Sequence, residues 1–321
     1  MTVSASELLR GLQLTLDATD LPELGERVSG KVRDSYLPGD GTRVLVTTDR
    51  ISAFDRVLGT LPFKGQVLNQ LAAWWMRQSS DIAPNHLLET PDPSVTVATQ
   101  CEPLPVEWVM RGHLTGVTST SIWTHYERGE RVFCGHALPD GLKKNEPLPA
   151  PILTPSTKAL KGGHDESVSR ATLLERGTID EATFDAASKL VHALFAFGRE
   201  TCAARGLLLV DTKYELGRAP DGTLVVIDEI HTPDSSRIWQ AGSYEAKLSA
   251  AEEPEGLDKE YVRRWLAGVG FRGDGPIPAI PDEVRVEASR RYIEACDQLR
   301  GEPFVPDLSP PLARIRENLR R

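Results

Sequence analysis

Cysteine is scarce in this sequence, and the few present stand far apart. Cys101, Cys134, Cys202 and Cys296 offer none of the short spacings of a zinc or dithiol site, so four reduced, structurally buried thiols in a cytoplasmic protein are expected. Long hydrophobic runs are also missing. No apolar stretch approaches the about 20 residues that cross a bilayer, and the N-terminus lacks the basic-then-apolar pattern of a secretion signal. A soluble protein with no membrane partner is the expectation. Positive charge is in deficit: 37 Lys and Arg stand against 46 Asp and Glu, a formal charge of -9. That balance argues against a nucleic-acid partner and leaves local basic sites for small anions, phosphorylated metabolites among them. Internal repeats and low-complexity segments are absent too. At 321 residues the chain is long enough for two or three packed units with a cleft between them.

What is present is a mixture of strand and helix signals. After a short helix or irregular leader at 6–19, Gly30 to Tyr36 and Arg43 to Thr48 read as strands joined by a turn through Pro38, Gly39, Asp40 and Gly41. Val67, Leu68, Leu71, Trp74 and Trp75 recur at helical spacing within 66–79, which makes both tryptophans core residues. Residues 95–101 and 106–111 read as further strands. The segment 138–163 is rich in Pro, Gly and Lys without periodicity and reads as a long surface loop. A helix is expected to start with a Thr178/Glu181 capping box and to bury Phe184, Ala187, Val191, Leu194, Phe195 and Gly198. Beyond Trp239, helices at 258–267 and 282–299 and a proline-rich tail read as packing elements.

The densest charge on strand-like sequence is LLLVDTKYELGRAPDGTLVVIDEIHTPDSSRIW, 207–239. Two apolar β-rich runs flank Pro220, Asp221 and Gly222, so an antiparallel hairpin is expected. Strand side chains repeat with a period of two, which puts Asp211, Lys213 and Glu215 on one face. If Lys213 lies opposite Asp228, then Glu215 and Asp228 sit diagonally within reach of one cation; a slip of one residue presents Glu229 instead. Carboxylates beside a lysine suit Mg²⁺ and phosphate oxygens together. A solvated edge hairpin is the plain alternative.

Four further segments carry chemistry-bearing residues. GERVSGKVRD, 25–34, resembles a Walker A loop, but Val32 stands where the metal-binding hydroxyl belongs. A glycine turn in a hairpin, bringing Lys31 or Arg33 to phosphates, is the better reading. TDRISAFD, 48–55, follows an apolar strand with Asp49, Ser52 and Asp55. EWVMRGHLTGVTSTSIW, 107–123, delivers Arg111 into a loop of hydroxyls suited to a phosphate monoester, and His113 reads as a local hydrogen-bonding group, with no zinc site. PILTPSTKALKGGHDESVS, 151–169, offers Lys158 and Lys161 with His164, Asp165 and Glu166.

Taken in order, GKVRD, TTDRISAFD, VEWVMRGHLTG, LTPSTKA with HDE, LLLVDTKYELG and DEIHTPDSSRIW resemble the SAICAR synthetase family of purine biosynthesis, over residues 30–239. Val117 departs from a common serine, which moves any hydroxyl duty to Thr118 or Ser119, and Leu216 replaces a common phenylalanine. The resemblance implies an α+β, ATP-grasp-related, two-lobed fold with the nucleotide in a cleft between lobes. The implied divisions are 1–110 (N-terminal lobe with the glycine hairpin), 111–245 (second lobe with metal and substrate sites) and 246–321 (C-terminal helices and tail). It implies a ligase joining L-aspartate to the carboxylate of CAIR, an imidazole ribotide, with ATP and Mg²⁺ and through an acyl phosphate, in a monomer or homodimer. On that reading Gly30, Lys31, Arg33 and Lys158 hold the nucleotide, and Glu215 and Asp228 hold the metal. Lys213, Asp165 and Glu166 are the catalytic candidates, with Asp165 as the candidate base. Asp49, Ser52, Asp55, Arg111, Thr118, Ser119, Ser236 and Arg237 line the substrate side.

Overall fold

The computed structural model describes residues 3–54, 56–118, 120–157 and 166–320. After helix α1 (Ala5–Leu12) come strands β1 (Glu26–Ser29), β2 (Arg33–Leu37) and β3 (Thr42–Thr47), a small hairpin β4 (Arg50–Ala53) and β5 (Arg56–Thr60), and helix α2 (Lys64–Gln78). Then follow β6 (Leu87–Asp92) and β7 (Val95–Thr99). These build an antiparallel five-stranded sheet in the order β1-β2-β3-β7-β6, with β4 and β5 paired separately. The hairpin through Gly39 and Gly41 forms as expected. Both glycines have positive φ, which the tight turn requires.

The second lobe starts with β8 (Glu102–His113) and α3 (Ile122–Glu127), followed by β9 (Val132–Phe133), β10 (His136–Ala137), β11 (Pro147–Leu153), β12 (Ser156–Thr157) and β13 (Glu166–Ser167). Helices α4 (Arg170–Glu175) and α5 (Glu181–Ala204) lead into β14 (Leu207–Arg218), β15 (Leu224–Ile227) and β16 (Ser236–Gln240). A seven-stranded sheet results, in which β8 and β14 are the long central pair and β11 and β16 add to them. The two sheets divide between Thr99 and Glu102, so the expected lobe boundary at 110/111 falls inside β8.

Two local expectations need correction. The 138–163 segment is not all loop, because β11 pairs with β8 and β12 with β8 and β13. Pro147, Pro149 and Pro151 sit on the edge strand β11, at or beside its break in register, where missing N–H donors are tolerated. The cap of α5 is Asp180, which accepts from the Thr183 amide at 2.8 Å, not a Thr178/Glu181 box. The buried stripe from Phe184 to Gly198 is as expected.

Helices α6 (Ala241–Ser249), α7 (Glu260–Gly268), α8 (Asp282–Arg300) and α9 (Pro311–Asn318) complete the chain, with α8 packed on α2 and α1, and α9 on β6. The larger core lies behind the seven-stranded sheet, where Trp108 and Tyr214 meet Trp75 of α2, Phe184 and Phe195 of α5 and Tyr292 of α8. Trp75 is fully buried, whereas Trp74 only packs against that core. The cysteines are all free; Cys101, Cys202 and Cys296 are buried and Cys134 is half-buried. Among the described residues no helix is long and apolar enough to cross a membrane.

Candidate active site

Strand β14 organises the site by its alternation. Tyr214 points into the rear core, so its neighbours Asp211, Lys213 and Glu215 face the front, as the period of two demands. On β8 the register sets Glu107 opposite Glu215, Val109 opposite Lys213 and Arg111 opposite Asp211. A column of charge therefore runs along the front of the central pair. The Lys213 ammonium sits 2.5 Å from Glu215 and 3.1 Å from Glu107. Burial opposes its charge, but Glu215, Glu107 and Asp228 more than offset that and raise its pKa, so it stays cationic.

β15 and β16 pair with successive parts of the same edge of β14. The chain between them, 228–235, therefore bulges out beside Lys213, whose amide donates to the Ser235 carbonyl at 2.9 Å. Glu215 pairs with Ile227, which differs from the register that would set Lys213 opposite Asp228. β15 ends at Ile227, and Asp228 turns away with φ 70°. Both alternative acids end up on one cation. Arg33 of β2 reaches across from the first sheet to Asp228, and to Glu229 at 2.8 Å.

Two cavities meet on this front face. The larger, about 560 Å³, lies between the sheets and is lined by the turn residues Gly30 to Arg33, by Ser52 and His86, and by Glu107, Glu215, Asp228 and Glu229. It falls in the size range of small-molecule sites. The turn's carbonyls are drawn away from it: Arg50 donates to the Gly30 and Lys31 oxygens at 3.0 and 2.9 Å, and Thr48 to that of Val32 at 2.8 Å. The smaller cavity, about 260 Å³, is lined by Arg111, Thr118, Thr120, Ser236, Arg237 and Arg263 among others. In it Arg237 pairs with Asp211, Arg111 donates to Thr154 at 2.8 Å, and Ser236 donates to Thr212 at 2.8 Å. Burial lowers the Arg111 pKa, with Asp211 opposing. The cavities share Lys213, Asp234 and Lys259.

Asp234 and Lys259 escaped the sequence reading. Asp234 is clamped by the buried Lys64 ammonium at 2.6 Å and by the Tyr292 hydroxyl at 2.7 Å. Lys259 precedes α7, and burial together with Arg263 lowers its pKa to about 8 against the pull of Asp234 and Glu229. Thus α7 is not only a packing element. Lys259 and Arg263 stand four residues apart, one helical turn, and that spacing was the available signal. Glu107 had no signal of its own, because the pairing of β8 with β14 sets its position.

The other candidates divide. Lys31, Ser52, Thr118, Ser236 and Arg237 line the cavities. Asp49 lines neither: it is buried, and its oxygens accept from the Leu16 and Gly65 amides at 2.7 and 2.8 Å. Burial raises its pKa to about 6 despite those bonds. Glu166 is exposed and paired with Arg176 at 2.8 Å. Asp55, Ser119, Lys158 and Asp165 lie outside the described residues. For a metal, the carboxylates of Glu215, Glu107 and Asp228 on one cleft are the right hard oxygen donors. No three of His, Cys, Asp or Glu converge on one point among the described residues. That donor set fits Mg²⁺, which commonly takes one or two carboxylates and completes its shell with phosphate and water.

Comparison with known proteins gives the family. The profile of SAICAR synthetase matches residues 26–276. A phosphoribosylaminoimidazole-succinocarboxamide synthase of Legionella pneumophila strain Paris is 44% identical over 95% of this chain and 98% of its own. The chloroplastic enzyme of that name from Arabidopsis thaliana is 47% identical over 93% of this chain and 72% of its own. Among solved structures, the SAICAR synthase of Saccharomyces cerevisiae complexed with SAICAR superposes with TM-score 0.78 at 29% identity, covering 91% of this chain and 100% of that one. With its order of motifs, its two-sheet cleft and these relatives, the chain belongs to the SAICAR synthetase family.

Proposed function

We infer that the chain is the ATP-dependent ligase that joins L-aspartate to the carboxylate of CAIR, giving SAICAR, ADP and phosphate. The observation that carries this reading is the meeting of two charged cavities at Lys213, Asp234 and Lys259. A carboxylate resists an amine because it is anionic and its oxide does not leave. Phosphorylation removes both obstacles. The CAIR carboxylate attacks the γ-phosphorus, breaking its bond to ADP; the aspartate amine then attacks the acyl carbon and phosphate departs. Such transfers need positioning and charge neutralisation more than covalent help from the protein.

The larger cavity suits the nucleotide, with its phosphates toward Lys31, Arg33 and Lys213. The smaller suits CAIR, its phosphate held by the guanidinium forks of Arg111 and Arg237 with Thr118 and Ser236. That arrangement sets the CAIR carboxylate near the shared lysines, facing the γ-phosphate. Mg²⁺, held by Glu215 and Asp228 with Glu107 beside them, would supply charge neutralisation at the phosphates. Arg33 neutralises Asp228 and Glu229. Nucleotide binding would turn that guanidinium to the phosphates and release Asp228 to the cation. Asp165, which lies outside the described residues, is our candidate for the base that takes the proton of the aspartate amine.

The test is ADP release by purified protein with each substrate omitted in turn, together with transfer of ¹⁸O from labelled CAIR carboxylate into phosphate. ADP that requires CAIR, with label in phosphate, supports the reading. ADP formed with another acceptor alone, or phosphate without label, refutes it.

A further inference from the structure

The loop that carries Asp228 and Glu229 has an unusual backbone, and it is anchored on the far side of the sheet. Asp228 and His231 both sit in the left-handed region, at φ 70° and 48°. A residue with a β-carbon seldom adopts that conformation unless its surroundings hold it there. His231 is fully buried and lines neither cavity. Its Nε2 lies 2.5 Å from the Tyr214 hydroxyl, and its ring stands edge-on to Trp75 with centroids 4.7 Å apart. It also rests on α5 where the side chain is absent: a β-carbon on Gly198 would fall 2.3 Å from its Cε1. Burial pushes its pKa down to about 3, so the ring is neutral.

We propose that His231 is a positioning residue of the reaction. Gripped by Tyr214, Trp75 and the bare backbone of Gly198, it holds Asp228 and Glu229 at the height of Lys213 and Glu215. The logic lies in the alternation of β14. Lys213 and Glu215 present their charges to the cleft, and the residue between them reaches backward to pin the loop that supplies the opposing acids. One strand thereby sets both halves of the acidic rim, and a shift of the loop is coupled to the strand rather than left to the flexibility of eight connecting residues, 228–235. This rests on the reading of Asp228 as a nucleotide-side group.

Tyr214→Phe removes the hydroxyl without altering the backbone, and His231→Asn keeps a residue tolerant of the left-handed region while losing the ring. Gly198→Ala pushes on the imidazole from behind. Each is assayed for kcat and for KM of ATP and of CAIR, with Asp228→Asn as reference. The expected result for Tyr214→Phe is a loss of about 3- to 10-fold in kcat/KM for ATP, the worth of one uncharged hydrogen bond. A larger loss is expected for His231→Asn, with KM for CAIR within about twofold of wild type in both. The pH profile should keep its shape, because a neutral imidazole titrates far from it. If Tyr214→Phe and Gly198→Ala fold and both keep wild-type kcat/KM for ATP while Asp228→Asn loses it, the positioning role is overturned and the reading of Asp228 stands. An equal rise in KM for ATP and for CAIR would also overturn it, as a general loosening of the fold. If Asp228→Asn itself leaves ATP kinetics intact, the nucleotide-side reading has failed, and the inference fails with it.

Discussion

Replacing Lys64 with methionine isolates one strong electrostatic device of this fold. The Lys64 side chain is completely inaccessible, and its ammonium lies 2.6 Å from the Asp234 carboxylate, whose side chain is 6% exposed. A pair open to water would be worth 0–1 kcal/mol. This one is sealed at the first turn of α2, and methionine fills a similar volume while deleting the charge. Asp234 keeps the Tyr292 hydroxyl at 2.7 Å and the attraction of Lys259 but loses its nearest cation, and breaking a buried pair in this way costs about 3–5 kcal/mol. At on the order of 2 °C per kcal/mol in a chain of this size, the melting midpoint should fall by roughly 6–10 °C. Adding Asp234→Asn to Lys64→Met should recover most of that loss, since removing both members of a buried pair is nearly neutral.

Acid gives a second readout with a definite sign. In the wild type, burial raises the pKa of Asp234, but Lys64 and Lys259 override it and leave it below the ordinary value of 3.8. Its contribution is thus present above 3.8 and is lost as the pH falls through the lower folded value. In Lys64→Met the strongest opposing charge is gone, so burial draws the folded pKa of Asp234 upward. The folded state then takes up the proton more readily, so the deficit against wild type should narrow from pH 7 toward about 4. Urea titrations of wild type, both single variants and the double variant at several pH values would measure all of this. A Lys64→Met protein within about 1 kcal/mol of wild type at pH 7, or a deficit that widens in acid, would refute the reasoning.

Three other outcomes are expected. Glu215→Gln leaves Lys213 its partner Glu107 and should spare the melting midpoint, yet lower kcat by at least about 100-fold, in steady-state assays at saturating ATP and Mg²⁺. Lys259→Met should cut kcat/KM for CAIR by about 100-fold while Lys259→Arg restores part of it, because the position serves both cavities. Asp49→Ala orphans the Leu16 and Gly65 amides and should cost about 2–4 kcal/mol in urea unfolding with KM for CAIR unchanged. The wild-type carboxyl, raised to about 6 from 3.8, gives stability that declines as the pH rises across that interval, and the variant should lack this slope.

The residues legible in the sequence are those whose placement follows from a local period. The alternation of β14 gave Asp211, Lys213 and Glu215 a common face without knowledge of any partner, and the stripe of α5 gave the surface that covers the rear of the sheet. Placement that depends on a partner strand was not legible. Glu107 reaches the site only because β8 sets it opposite Glu215, and nothing within the 107–123 segment distinguishes that register from its neighbours. The loop after β15 fails for a different reason. A hairpin with unbroken pairing would keep Asp228 on the ladder, but the ladder stops at Ile227 and the chain turns through the left-handed region. Its anchors are Tyr214 and Gly198, respectively 14 and 30 residues before Asp228 in the sequence. Asp49 shows the converse: an acid placed after a strand like a ligand, whose oxygens are spent on two amides that only tertiary folding brings to it. Charge count therefore located the strand that lines the cleft, while the division of acids between cleft and backbone support was decided by which N–H groups the fold left without partners.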